Sequence, residues 1–300
     1  MKNDDLDAFV SVVRCKSLSV AAEQLGLTQS AITRRVQNFE HNLGAQLLDR
    51  QTKPLKPTAM GLRVYQQCCE IQQALRALQA LVHEDGDPNG RFRLGVPQTL
   101  SDWLLIELVN ALKQRFPELN TQVSNGWGNN LLERLQEHDL DAVAGLFASD
   151  KVFPAHLLAH KATDVPLLVV CSKDQPALNS LAACNAQGWI LNPDGCGLRH
   201  NLQQCLAAQG LSLALNLETF GSQLQLGLVA KGLGLGLVPA PLLAQSQLRH
   251  QLRVLTLTDY APTAGLWLVQ PEHSGNLQQA LSYLQGQLRV LGDIQPESST

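Results

Sequence analysis

Charge and aromatic side chains are both scarce: 16% of the 300 residues are charged and 5% aromatic, while the 45% hydrophobic share is ordinary for a globular chain. No apolar run approaches the roughly 20 residues that a membrane-spanning helix needs. The chain opens on Asp4, Asp5 and Asp7 rather than on the basic and apolar stretch of a secretory signal, so a cytoplasmic protein without a membrane partner is expected. Seven cysteines, an odd number with no C-x-x-C, argue against a disulfide framework and against a zinc site. Enzyme signatures are missing too. There is no G-x-S-x-G elbow, and His156 and His160 lie near Pro154 with no Glu after the first His. The run from Gly232 to Gly236 lacks dinucleotide-binding spacing and reads as close packing on a strand. No catalytic residue, cofactor or metal is expected.

What is present concentrates near the N-terminus. Leu6, Phe9, Val10 and Val13 recur at helical spacing, which predicts a support helix over residues 6–13 with the three aspartates at its favourable end. A second helix is predicted from Ser19 as N-cap through Ala21, Ala22 and Leu25 to a stop at Gly26. Thr28 is the next N-cap. Ile32, Val36, Phe39 and Leu43 then fix a buried face and leave Gln29, Ser30, Thr33, Arg34 and Gln37 on the other. Gln pairs with adenine, Ser and Thr reach base edges or thymine methyls, and Arg serves guanine or phosphate, all near the helix end that enters a major groove. Past Gly44, Leu47 and Leu48 lead into Arg50, Lys53 and Lys56, punctuated by Pro54 and Pro57, which predicts a basic hairpin along the phosphates. From Arg14 to Arg63, eight lysines and arginines face Glu23, Glu40 and Asp49, a net of +5; the rest carries −8, because the whole has −3. One segment of a near-neutral chain is therefore suited to double-stranded DNA, as a winged helix-turn-helix.

Three runs carry a resemblance: Ser17-Leu18-Ser19-Val20-Ala21-Ala22-Glu23-Gln24-Leu25, Thr28-Gln29-Ser30-Ala31-Ile32-Thr33-Arg34, and Leu47-Leu48-Asp49-Arg50 with Pro57-Thr58-Ala59-Met60-Gly61. They resemble the N-terminal signature of LysR-type transcriptional regulators, with Leu48 standing where an aromatic is usual and Pro57 where an aliphatic is more common. The resemblance implies a winged helix-turn-helix, a long dimerising linker helix, and a two-lobed effector domain like a periplasmic solute-binding protein. It implies promoter DNA, a small-molecule effector and RNA polymerase as partners, with lobe closure altering subunit arrangement and DNA bending. DNA contact is carried over to Gln29, Ser30, Thr33 and Arg34 and to Arg50 and Lys53; Thr28 and Gln37 join them from the helix pattern.

Thr58 begins a proline-free stretch to about Glu84, with Ile71, Leu75, Leu78 and Val82 as its stripe; such a helix is roughly 40 Å long. Its Ala- and Gln-rich body has no core to lie on, so the stripe calls for a second copy in a homodimer or homotetramer, as a reader of inverted repeats needs. The turn-rich residues 85–90 mark the hinge. This divides the chain into residues 1–58, 59–90 and 91–300. Beyond the hinge, strands at 92–96, 119–123 and 142–146 alternate with helices at 103–116 and 130–137, a parallel α/β pattern. A second unit holds strands at 167–171, 189–191, 213–217 and 233–238 and helices at 198–208 and 224–230. Residues 265–269 return to the first unit, completed by a helix at 277–290. The expected fold is an N-terminal all-α winged helix-turn-helix with a linker helix, then a C-terminal α/β effector domain in two lobes, 91–166 with 266–300 and 167–265.

Ligands in such folds bind beyond the carboxyl ends of strands, so the cleft between lobes is the expected effector site. Thr99, Leu100 and Ser101 stand where a strand turns into a helix, a place that favours an anionic group. Arg199 and His200, and Thr219 and Ser222, sit at like junctions that the resemblance places beside the effector, Arg199 as a cation for an acid. Each Thr or Ser reads equally as a simple N-cap, and Phe147 as cleft wall or core. Cys196 and Cys205, nine residues apart, are the candidate thiol pair, since peroxide-sensing members of the family use two cysteines in this region, although the intervening residues do not reproduce the sensor pattern. A lone solute-binding protein, the rival of another class, would have no use for residues 1–84.

Overall fold

The computed structural model describes residues 2–81 and 87–292 of two compact units, Met1–Val82 and His83–Thr300. Val82, Glu84 and the first two hinge residues lie outside the described residues. No helix among the described residues is long and apolar enough to cross a membrane.

In the first unit α1 (Asn3–Cys15), α2 (Leu18–Gln24) and α3 (Gln29–Leu43) pack around Leu6, Phe9, Ala21, Ala22, Ile32, Val36 and Phe39. The rings of Phe9 and Phe39 stack 5.3 Å apart at its centre. The apolar spacings forecast this, with adjustments at the ends. Val13 is only half-buried and Leu43 is exposed, whereas Ala8 and Val12 are buried. The cap of α2 is Ser17, not Ser19: Ser17 has the extended backbone, and its hydroxyl accepts from the Val20 N–H. Thr28 caps α3 as expected, accepting from the Ala31 N–H at 3.2 Å. Two short strands, β1 (Leu48–Asp49) and β2 (Lys56–Pro57), pair antiparallel as a wing.

Thr58 caps α4 (Ala59–Leu81), accepting from the Gly61 N–H at 2.9 Å. Gly61 sits so close to the wing that a Cβ there would lie 2.0 Å from the Leu47 carbonyl oxygen. The expectation that α4 has no core to lie on is corrected over its first half. Tyr65, Cys68 and Cys69 are buried in the same core as α1, and Gln72 Nε2 donates to Asp7 Oδ1 at 2.6 Å. Further along, Ile71 and Leu78 are exposed.

The second unit begins with β3 (Gly90–Val96), α5 (Gln98–Arg115), β4 (Leu119–Asn125), α6 (Gly128–Gln136) and β5 (Ala142–Phe147), with β3 parallel to both β4 and β5. There follow β6 (Leu157–Ser172), α7 (Leu181–Gln187), β7 (Trp189–Leu191), α8 (Gly197–Ala208), β8 (Leu215–Glu218) and α9 (Ser222–Ala230). The chain closes with β9 (Gly236–Pro239), α10 (Ala240–Gln245), β10 (Leu252–Leu255), β11 (Thr263–Pro271) and α11 (Gln278–Gly292).

The parallel pattern gives way to a mixed sheet, because β11 lies between β5 and β6 and runs antiparallel to both. β6 is one long strand shared by two halves. Up to Pro166 it pairs with β11; from Leu167 it pairs with β9 and β10. β7 and β8 form a separate parallel pair beside them. One continuous apolar core runs from Phe92, Leu104 and Leu108 through Val169 and Val170 to Trp189, Leu202 and Leu226, so the halves are not independently cored. Pattern reading missed the short elements α7, α10 and β10 and started α5 five residues late. The glycine run expected on a strand mostly precedes it, since Gly232 and Gly234 lie in the turn before β9, but Gly234 is closely packed as expected: a Cβ there would meet Ile190, Asn216 and the Gly188 carbonyl at 3.0–3.1 Å.

Candidate functional site

The first site is the outer face of α3. Gln29, Ser30, Arg34 and Gln37 are exposed and Thr33 half-exposed, while Ile32, Val36 and Phe39 hold the opposite side in the core. The three hydroxyls on this stretch are all engaged. Thr28 caps the helix and shares a 3.0 Å contact with Ser30, and Thr33 Oγ1 donates to the Gln29 carbonyl at 2.7 Å, leaving its methyl as the part free to meet a base. The side chains of Gln29, Arg34 and Gln37 have no internal hydrogen bond among the described residues and carry the groups suited to base edges and phosphates. Arg35, one position on, points elsewhere: it pairs with Asp4 at 3.2 Å.

The wing is fastened to this helix by a residue that the spacing pattern did not single out. Glu40 Oε1 accepts the Leu47 and Leu48 N–H groups at 2.8 and 3.1 Å, and Oε2 accepts Arg50 Nη2 at 2.8 Å. Arg50 therefore stands at the wing in an ion pair that partly neutralises it. Lys53 and Lys56 are exposed and have no ion-pair partner among the described residues. Helix face and wing together form a polar and basic surface held on a common joint.

The second site is the seam where the two halves of the C-terminal unit meet. The Ser222 N–H at the start of α9 donates to Asp102 Oδ2 on α5 at 3.0 Å, and Asp102 Oδ1 accepts from Gln98 Nε2 at 2.6 Å. Trp127, ahead of α6, lies 6.0 Å from Phe220 with the rings tilted by 31°, and covers Gly195, whose φ of 96° and missing Cβ admit the indole. Of the expected contacts, Thr99 is buried, and Ser101 Oγ donates to Asn125 Oδ1 at 2.9 Å. Leu100 is corrected as a side-chain contact: it is wholly in the core, and its N–H bonds to the Pro97 carbonyl at 3.0 Å. Phe147 belongs to the core, edge-on to Phe153 at 5.4 Å and beneath Gly128.

Arg199 is corrected as a free cation. Its Nη1 donates to Glu218 Oε2 at 2.5 Å and to the Asn192 carbonyl at 3.1 Å, and its Nε lies 3.1 Å from Asp194 Oδ1, so its charge is met within its own lobe. His200 is exposed and shares a 3.0 Å contact with Gln204. Thr219 and Ser222 are both buried.

Cys196 and Cys205 are free thiols at the cap and in the third turn of α8. Nine residues of helix separate their Cα atoms by about 13 Å, whereas a disulfide needs about 7 Å or less. They cannot bridge while α8 is intact. Burial pushes the thiols of Cys68 and Cys184 up to about 12 and about 11, away from reactivity. No group of three or more His, Cys, Asp or Glu that could hold a metal occurs among the described residues.

Comparison with known proteins places this geometry. Residues 3–62 match the family model for the bacterial regulatory helix-turn-helix protein, lysR family, and residues 85–288 match that for the LysR substrate binding domain. The HTH-type transcriptional regulator GltR of Bacillus subtilis (strain 168) is 25% identical over 255 residues, 85% of each chain. A full-length OxyR variant from Pseudomonas aeruginosa superposes with a TM-score of 0.81 at 17% identity, covering 100% of this chain and 99% of that one. Full-length CbnR complexed with its target DNA gives 0.61 at 17% identity, covering 96% and 99%.

Proposed function

The chain belongs to the LysR family of bacterial transcriptional regulators, a family of DNA-binding proteins rather than enzymes, and from that premise we propose how it works. It reads promoter DNA with Gln29, Ser30, Thr33, Arg34 and Gln37 in the major groove while Arg50 and Lys53 lie near the backbone. Thr28 sets the start of that helix. The observation that carries this reading is the capped helix α3, apolar on one side and polar and exposed on the other, joined through Glu40 to a basic wing.

Two copies act together, as dimer or tetramer, through the exposed Ile71 and Leu78 on α4. Residues 59–90 serve as linker and hinge. A small molecule binds where residues 91–166 and 266–292 face residues 167–265, near Thr99, Ser101, Thr219 and Ser222, and its binding alters subunit arrangement, DNA bending and contact with RNA polymerase in the cytoplasm. The anionic ligand expected from sequence keeps the start of α5 as support but loses Arg199, which Glu218 and Asp194 occupy. A thiol switch through Cys196 and Cys205 would first have to unwind α8, so metabolite control is the reading supported.

Footprinting on the DNA upstream of its own gene tests the proposal. Protection of two half-sites one or more helical turns, about 10 bp each, apart is expected. Protection that slides to any sequence of the same length would contradict it.

A further inference from the structure

The loops around the seam are unbalanced in charge. Residues 97–102, 125–128, 192–199 and 218–222 hold Asp102, Asp194 and Glu218 against a single cation, Arg199, a net of −2. That cation is held by two of the three carboxylates, through a hydrogen bond from Nη1 to Glu218 and through proximity alone from Nε, a donor without a hydrogen-bond partner among the described residues, to Asp194. The start of α9, a backbone site that a ligand carboxylate would otherwise take, already receives Asp102 from the opposite lobe.

A second observation is independent of these charges. β7 and β8 run parallel, and the Thr219 N–H donates to the Leu191 carbonyl at 3.0 Å, so Asn192 and Thr219 stand together at the carboxyl ends of the strands. Asn192 is 8% exposed and Thr219 6%. Asn192 Oδ1 and Thr219 Oγ1 have no hydrogen-bond partner among the described residues. Buried oxygens without a donor are uncommon in folded proteins, and strand carboxyl ends are where open α/β folds take ligands.

Resting on the regulator reading above, we infer that the effector presents a protonated amine or guanidinium to Asn192 and Thr219, and that Asp102 makes the cleft reject carboxylates. The orphan oxygens accept its N–H groups, and the surplus carboxylates offset its charge. A carboxylate ligand would meet the net negative field and compete with Asp102 for the Ser222 N–H.

The test uses the full-length protein with putrescine, agmatine and glutarate as probes at matched ionic strength, read by thermal shift and calorimetry. At least one amine is expected to raise Tm while glutarate does not. Thr219→Val removes an oxygen that has no partner among the described residues, so Tm without ligand should hold while the amine Kd rises about tenfold. Asp102→Ala removes both the charge and the acceptor that occupies the Ser222 N–H; it should weaken the amine and admit glutarate. Stabilisation of the wild type by glutarate, no shift with either amine, or an unchanged amine Kd in Thr219→Val would each overturn the inference. Promoter binding by the same preparations reads the regulator assignment separately: a chain that protects its promoter yet ignores the amines loses only the ligand class.

Discussion

Removing the Glu40 carboxylate should loosen the wing from α3 by an amount that the contacts set. Glu40→Ala leaves the N–H groups of Leu47 and Leu48, two fully buried residues, without acceptors and releases Arg50. An unsatisfied buried donor costs about 1–3 kcal/mol. The lower end applies here, since the joint lies near the surface and water can enter. The ion pair adds little, about 0–1 kcal/mol, because Arg50 is 44% exposed. The sum is about 2–3 kcal/mol for Ala. Glu40→Gln retains an oxygen for the backbone donors but turns an NH2 donor toward Arg50, losing the charge and that hydrogen bond, so about 1 kcal/mol is expected. Against a total stability of about 5–15 kcal/mol, both are measurable as a displaced urea midpoint followed by circular dichroism. Equal losses in the two variants, or a loss in Ala below about 0.5 kcal/mol, would show that the carboxylate does not carry the joint.

Other outcomes follow from the same contacts. Lys53→Ala should weaken binding to all DNA sequences alike and flatten the salt dependence of log K by about 0.9; an unchanged slope would take Lys53 off the phosphates. Alkaline pH should destabilise the N-terminal unit. Burial raises Tyr65 from 10.0 to about 12, against a partial pull from Arg14, and Cys68 from 9.0 to about 12. The fold therefore keeps protons that the unfolded chain gives up, so stability is full below about pH 9 and is lost as pH rises toward about 12. A denaturation midpoint that does not fall between about pH 8 and about pH 11 would refute this. Leu78→Asp, at a 59% exposed position on α4, should lower the oligomer mass seen by light scattering, and an unaltered mass would move the self-contact off this stripe.

Local signals made much of the molecule legible. The Thr28 and Thr58 caps and the i, i+4, i+7 spacing of Ile32, Val36 and Phe39 depend only on neighbours within a few turns, and they placed α3 and α4 correctly. Tyr65, Cys68 and Cys69 also obey helical spacing with Gly61, so the packing of α4 on α1 was visible in the pattern although the Ala- and Gln-rich composition hid it. Contacts between distant positions left no such trace. Glu40 reaches Arg50, Arg199 reaches Glu218, and Asp102 reaches Ser222 across 120 residues. A lone charged letter does not say whether its partner is solvent, ligand or another side chain. The antiparallel course of β11 was hidden for a related reason: an apolar run fixes burial but not direction.

The most direct test of the account is the ratio of affinities for the protected promoter site and for a scrambled duplex, measured at one salt concentration in wild type and in Gln29→Ala. If α3 reads bases, the variant loses about 1–3 kcal/mol on the promoter site and almost nothing on the scrambled one. An equal loss on both duplexes would mean that Gln29 does not read sequence, and would contradict the placing of α3 in the groove.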